Sequence, residues 1–150
     1  NIYVIEKENS KIWRYQGVKG GFLEKEEWLG EGVVPDFTSE QAMAIDSSIW
    51  TLSSGEISNY SQGVATNFSL KGVKNSIDNA IDLYVDAESA YLYVLDPQNK
   101  RVVVINKDGQ YKGEYITDRL TNAKDFVVDE ETKKIIFLSE GKLYSLELQH

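Results

Sequence analysis

One short phrase, an apolar run that ends on an aspartate, recurs along this chain at a nearly constant interval. It occupies residues 42–46, 82–86 and 125–129, so successive copies begin 40 and then 43 residues apart. After a turn, each copy is followed by a second apolar run, at residues 49–52, 91–95 and 135–138. Self-similarity at such a period is typical of repeat architectures, in which each unit stacks on its neighbours to bury its faces.

The repeat that spans residues 80–117 is the most complete and predicts four strands, named A to D from the inside outward. Strands A, B, C and D fall at residues 82–86, 91–96, 101–106 and 111–117. Strands B and C are almost continuously apolar and β-branched, as expected for strands covered on both faces. Strand D alternates with polar residues, which suits an edge open to water. Several short strands in each repeat of about forty residues predict the blade of a β-propeller.

We therefore predict an all-β fold, a β-propeller of four-stranded antiparallel blades, with about three and a half blades in this chain. The predicted blades cover residues 1–34, without strand A, then 35–74 and 75–119, and finally 120–150, without strand D. In the first two blades, strand D is expected at residues 22–29 and 65–70. No helix is predicted.

Because about four blades form the smallest closed ring, this chain is expected to need additional blades. We expect it to be part of a six-bladed ring or to complete its ring by oligomerisation. We also expect earlier blades upstream of Asn1 and the end of the propeller near His150.

Composition argues against several kinds of partner and chemistry. The net charge is −8 and the 16 Lys and Arg residues are scattered, whereas nucleic acid and anionic membranes require clustered basic residues. A cationic or neutral partner fits better. The chain has no cysteine and one histidine, His150, so we expect no disulfide, no Ser-His-Asp triad and no cofactor. No apolar run approaches the roughly 20 residues that span a bilayer.

Aspartates stand at both ends of the predicted A strands. Those at the far ends, Asp46, Asp86 and Asp129, are expected to accept backbone N–H groups in the following turn. Asp82 and Asp125 lie four residues earlier, where A strands line the central channel, and Ala42 holds that place in the preceding repeat. Two carboxylates fall short of the roughly six to eight oxygens that Ca²⁺ takes, so a solvated channel or an ion pair with Arg or Lys is favoured.

Two long polar segments, residues 30–41 and 72–79, are expected to connect strand D of one blade to strand A of the next. Such crossings lie on the face where propellers usually bind ligands, and connecting loops carry function more often than cores do. We therefore take the following as candidate binding residues: Asp36 and Asn75 in these crossings, Asn122 in a further loop, and Asp82 and Asp125 in the channel. No catalytic residue and no metal ligand is predicted.

In two hairpins an apolar strand leads through an Asn-containing turn, which ends in Lys or Arg, into a second apolar strand. They span residues 1–15 and 90–105, and they resemble the B–C hairpin of NHL-type six-bladed propellers. Residues 28–37 and 44–50 are similar to propellers at the C-terminal end of membrane-anchored bacterial proteins, some of which carry a phosphatase-like domain. The resemblance implies a repeat scaffold that binds a protein, peptide or glycan outside the cytoplasm and performs no catalysis.

Three functions follow from these observations. The leading hypothesis is a non-enzymatic interaction module that uses the face formed by the D-to-A crossings and the A-strand ends. The first alternative is a hydrolase of the lactonase kind, in which a divalent metal held by Asp82, Asp125 and upstream residues acts as a Lewis acid. The second is an assembly module, because incomplete blades leave strand edges that another chain can pair with. We expect an extracytoplasmic location, with the cytoplasm as the alternative.

Overall fold

A computed structural model describes residues 1–149, which contain sixteen strands and two short 3₁₀ turns. The first sheet region contains β1 (Ile2–Glu6), β2 (Lys11–Tyr15), a small hairpin of β3 (Gly17–Val18) and β4 (Gly21–Phe22), and β5 (Glu26–Glu27). The second sheet contains β6 (Glu40–Ile45), β7 (Ile49–Ser53), β8 (Glu56–Ser61) and β9 (Val64–Ala65). The third contains β10 (Asp82–Val85), β11 (Tyr91–Asp96), β12 (Arg101–Asn106) and β13 (Tyr111–Ile116). The fourth contains β14 (Ala123–Asp129), β15 (Lys134–Ser139) and β16 (Lys142–Glu147).

Each sheet is antiparallel, and most strands pair with the strand that follows them in the chain; β2 instead pairs with β5, across the intervening β3-β4 hairpin. The orders are β1-β2-β5, β6-β7-β8-β9, β10-β11-β12-β13 and β14-β15-β16. Strands B and C of the third repeat agree with β11 and β12 at both ends. Strands β6 and β14 begin two residues earlier than predicted, at Glu40 and Ala123, and each has a bulge just after that start. The prediction of repeated antiparallel strands is therefore confirmed.

The predicted D strands of the first two repeats are wrong in length. Only Glu26–Glu27 and Val64–Ala65 are paired as strands there. In the first repeat, Phe22 belongs instead to the small β3-β4 hairpin. In the second, the chain after β9 leaves its own sheet, and Lys71 pairs with the third sheet: its N–H donates to Gly109 O over 2.8 Å, and its carbonyl accepts from Tyr111 N–H over 2.9 Å.

The two 3₁₀ turns, Pro97–Asn99 and Asp118–Asn122, were not predicted. The first joins β11 to β12, and Pro97 supplies the fixed φ that such a turn uses. The second is capped by the Thr117 side chain, which accepts from Arg119 N–H. Both turns lie at the same end of the third and fourth sheets, where they shape the surface described below.

Three apolar clusters lie between successive sheets and hold them face to face. Ile12, Phe37 and Ile49 pack between the first and second sheets. Leu52, Leu83, Leu92 and Val103 pack between the second and third, and Tyr93, Val104, Phe126 and Phe137 between the third and fourth. Each fully buried side chain of this size contributes about 1.5–3 kcal/mol of hydrophobic stabilisation. The inner sheets are thus covered on both faces, which explains the continuous apolar runs of β11 and β12.

The outward faces of the first and fourth sheets are apolar yet exposed. On the first sheet, Ile2 and Val4 are 46% and 43% exposed. On the fourth, Val127 is exposed, and Leu143, which pairs directly with Leu138, is 73% exposed. In the described residues these two faces have no covering sheet, whereas the equivalent faces of the inner sheets are buried.

Candidate functional site

The connections between sheets form one end of the molecule, which we call the crossing face. It comprises the segments 30–39, 72–80 and 117–122, together with the hairpin turns at 7–10, 54–55, 97–100 and 140–141. Each connection touches one of these turns. Phe37 N–H donates to Ser10 Oγ over 2.9 Å, and Asn122 Nδ2 donates to Glu140 Oε1 over 2.8 Å. Every crossing is therefore held by a turn of a neighbouring hairpin.

Arg101, the first residue of β12, anchors the second crossing, which is the segment 72–80. The side chain is 2% exposed, and its Nε donates to Asp96 Oδ2 over 2.9 Å while Nη1 donates to Glu114 Oε2 over 2.9 Å. Its Nη2 donates to the carbonyls of Asn75 and Ser76, over 3.0 and 2.8 Å. A buried guanidinium with carboxylate and carbonyl acceptors on several sides fixes the geometry of all of them. Sequence analysis missed this residue because its partners are far apart in the chain.

The three candidates on the crossing face, Asp36, Asn75 and Asn122, are all exposed, and the structure gives each a hydrogen-bond partner. Asp36 Oδ1 accepts from both the N–H and the Oγ1 of Thr38, over 2.9 and 2.6 Å, and these bonds lower the pKa of Asp36. Arg101 donates to the backbone carbonyl of Asn75 and not to its side chain. Asn122 reaches Glu140. The crossing face brings these candidates to one end of the molecule but does not gather them into one cluster.

The two channel candidates, Asp82 and Asp125, come together across neighbouring sheets. They hold equivalent places in β10 and β14, and each Oδ1 accepts the N–H of the following residue, over 2.9 and 2.8 Å. Burial, aided by repulsion from the Asp125 charge, raises the pKa of Asp82 to about 6. Within residues 1–149 no three acidic or histidine side chains are close enough to hold a metal ion. The pair therefore places two carboxyl groups side by side at the inner edge of the sheets, where charging both at once is unfavourable.

The three aspartates at the far ends of the A strands lie at the opposite end, which we call the turn face. Asp46 accepts Ser48 N–H over 2.7 Å, Asp86 accepts Glu88 N–H over 2.8 Å, and Asp129 accepts Thr132 N–H over 2.9 Å. The interpretation of these residues as turn-forming acceptors is confirmed. Asp46 also pairs with Lys107 of the next sheet, over 2.9 Å.

An acidic depression of about 590 Å³ lies on the turn face between the third and fourth sheets. Its lining includes Tyr84, Asp86, Glu88, Asp129 and Glu131. At its base the Glu130 carboxylate accepts from the hydroxyls of Ser89 and Tyr93, and burial together with this contact raises the pKa of Tyr93. No single phrase of the sequence indicates this depression, because its walls come from two repeats.

A second cavity missed by sequence analysis opens on the crossing face, against the second sheet. It has a volume of about 500 Å³, and the side chain of Glu40 lines it. Glu40 is 4% exposed, and its Oε1 has no hydrogen-bond partner. Burial raises the pKa of Glu40 to about 7, although the Thr51 hydroxyl, Leu52 N–H and the Lys7 charge act in the opposite direction.

Alignment of the repeats could have singled out Glu40, because it differs from the residues at the equivalent place in the other repeats. It stands two residues before Ala42, where the third and fourth repeats have Ala80 and Ala123 two residues before Asp82 and Asp125. Both alanines are buried. A carboxyl group in a place that the other repeats fill with a buried methyl group destabilises the fold unless it is hydrogen-bonded.

Comparison with known proteins identifies the fold. No family model matches the chain, and no curated protein matches it in sequence. Among solved structures, the chain is similar to one from a nidogen/laminin complex, with 14% identity and a TM-score of 0.67 over 97% of this chain and 56% of that one. It is also similar to a streptogramin B lyase (14% identity, TM-score 0.55, 99% of this chain and 54% of that one).

A virginiamycin B lyase from Staphylococcus aureus is a third neighbour, at 12% identity and a TM-score of 0.55, covering 96% of this chain and 50% of that one. The chain thus spans about half the length of these neighbours. Among residues 1–149 no helix is long and apolar enough to cross a membrane. These neighbours are β-propeller proteins, and the successive antiparallel sheets of this chain have the β-propeller fold.

Proposed function

We propose that this chain is part of a β-propeller that serves as a non-enzymatic interaction module, and that its crossing face binds a protein or peptide partner. The observation that carries the proposal is the anchoring of the second crossing by Arg101, which holds two successive carbonyls of an otherwise exposed loop. A loop held in one geometry loses little conformational entropy when a partner binds its outward side chains. The neighbour from a nidogen/laminin complex supports a protein as the partner.

The absence of catalysis is part of this proposal. It is supported by the hydrogen bonds and the charge of the two channel carboxyl groups. Asp82 and Asp125 each use an oxygen to accept a backbone N–H, and the raised pKa of Asp82 disfavours two negative charges at once. The lactonase alternative needs both groups charged and directed at a metal. Calorimetric titration with Ca²⁺ separates the two. We expect no binding, and Ca²⁺ binding that is lost in Asp82→Asn would establish the alternative.

The exposed apolar faces of the first and fourth sheets support additional blades on both sides. Faces of this composition are buried between the inner sheets, so we propose that further blades of a six-bladed ring cover them. The assembly alternative has a second copy of the chain in their place. Light scattering of the 150-residue chain tests this alternative: a mass near 17.0 kDa excludes it, and a stable dimer that Leu143→Lys dissociates would support it.

The binding function is tested by mapping where a partner attaches. The chain is incubated with a cell extract, cross-linked, and the cross-links are located by mass spectrometry. We expect a captured protein to cross-link near Asn75 and Asn122 and to be lost when both are changed to alanine. The matched control changes Glu88 and Glu131 to alanine on the turn face, which should leave capture unaffected. Capture through the turn face alone would overturn the proposal.

The NHL-like and bacterial assignments and the extracytoplasmic location belong to the same proposal. They are supported by the resemblance of the two hairpins described above. The sequence of the surrounding open reading frame, and fractionation of cells that produce the protein, would test both.

A further inference from the structure

The Glu40 cavity has the features of a built polar site. Glu40 is more than nine-tenths buried and keeps one carboxylate oxygen without a partner. In most folded proteins such an atom is paired, because an unsatisfied buried acceptor is destabilising. The Thr51 hydroxyl and Leu52 N–H lie beside the carboxyl group but do not pair with Oε1, and the Lys7 ammonium donates to the backbone carbonyl of Glu40.

The cavity walls are rich in oxygen and contain no basic side chain. Besides Glu40, two exposed carboxyl groups line it, Asp36 and Glu56. Hydroxyl groups come from Ser39, Thr51, Ser53, Ser58 and Tyr60. Phe37, which packs edge to face with Tyr60 at 5.9 Å between ring centroids, adds an apolar wall. Carboxylate and hydroxyl oxygens on several sides suit a ligand that carries many N–H donors and a positive charge.

We propose that this cavity binds a guanidinium group, such as an arginine side chain of the partner, through the free oxygen of Glu40. The guanidinium is planar, always charged and carries five N–H donors, so it can pair with a carboxylate and with hydroxyl oxygens at the same time. A volume of about 500 Å³ falls within the range of small-ligand sites. This inference rests on the proposed function, because it names the chemistry that the crossing face recognises.

Protonation of Glu40 gives the proposal a readout beyond affinity. The pKa of Glu40 is raised to about 7, so in the free cavity the Glu40 carboxyl is neutral at low pH and charged at high pH. A bound cation favours the charged carboxylate, and binding should therefore strengthen about tenfold between pH 6 and pH 8. Asp36 and Tyr60 also line the cavity and do not change charge in this range, because the pKa of Asp36 is lowered and that of Tyr60 is raised. The remaining ionisable groups there are the Glu56 carboxyl in the lining and the nearby Lys7 ammonium.

The probe is N-acetyl-arginine amide, titrated into the chain at low salt and followed by NMR chemical shifts. We expect shifts near Glu40 and Thr51, at least tenfold weaker binding in Glu40→Gln, and no pH dependence in that variant. N-acetyl-citrulline amide, which has the same shape without the charge, should not bind. The matched control is Glu88→Gln on the turn face, which should bind like the wild type. Should Glu40→Gln fail to fold, the pH dependence of wild-type binding decides.

Equal binding of the citrulline and arginine amides would overturn the proposal, as would equal binding of N-acetyl-lysine amide, because the site would then lack selectivity for guanidinium. If the arginine amide does not bind but a partner still cross-links to the crossing face, this inference fails and the proposed function stands. If the arginine amide binds but no partner attaches there, the proposed function fails and this inference stands.

Discussion

The contact between Gly109 and the preceding sheet gives a sharp test of how the sheets are held together. Gly109 has a φ of 92°, and a Cβ added there would lie 1.9 Å from the carbonyl oxygen of Ser69. Gly20 has the same φ, but nothing lies within 4 Å of its added Cβ. Comparison of alanine variants at Gly109 and Gly20 therefore separates the loss of stability due to backbone strain from the loss due to the close approach between sheets.

The expected magnitudes follow from the contacts. Gly20→Ala should lose only the strain of a left-handed backbone, about 1–2 kcal/mol. Gly109→Ala should lose this and also displace residues 69–71, breaking the two backbone hydrogen bonds that Lys71 makes to Gly109 and Tyr111. Each such bond contributes about 0.5–1.5 kcal/mol. We therefore expect Gly109→Ala to be about 1–3 kcal/mol less stable than Gly20→Ala.

Urea unfolding at equilibrium, followed by tryptophan fluorescence, measures this difference. In a chain of this size 1 kcal/mol corresponds to about 2–4 °C in Tm, so a thermal scan should show a gap of about 2–12 °C. The two variants should keep the wild-type m-value. Equal destabilisation of the two variants would refute the argument, because the segment after β9 would then not be docked on the third sheet in solution.

Two further predictions concern buried charges. Arg101→Met should destabilise the chain by about 3–5 kcal/mol in urea unfolding, because Asp96 would keep a buried, unpaired charge. The control Lys100→Met removes an exposed ion pair and should lose less than about 1 kcal/mol. Similar losses in both variants would contradict the anchoring role described for Arg101. Because the pKa of Asp82 is raised in the folded state to about 6, its contribution to stability is present at low pH and is lost as pH rises through about 6. Asp82→Asn should therefore be more stable than the wild type at pH 7.5, by about 1–2 kcal/mol once solvent screening of this half-buried group is allowed for, and the gain should shrink toward pH 4. A gain that does not change with pH would rule out the raised pKa of Asp82 as its cause.

Much of the fold could be predicted from the sequence because the signal is local. Strands β7, β11 and β12 begin and end within one residue of the apolar runs, because continuous apolar and β-branched residues between turn residues are typical of buried inner strands. Asp46, Asp86 and Asp129 form turns through neighbours two or three residues away, which the sequence also contains. The D strands were less predictable because their bounds depend on the next sheet.

The sequence by itself determined the repeat, the strand order and the acidic, cysteine-free composition, all of which follow from residue type and spacing. Only the tertiary structure decided that Asp82 lies beside Asp125 and that Arg101 holds a crossing. It also decided that Glu40 lines a cavity and keeps one oxygen unpaired. The physical reason is that pKa values, buried ion pairs and cavities depend on groups brought together from distant repeats. A periodic pattern predicts that sheets stack but does not specify which side chains meet between them.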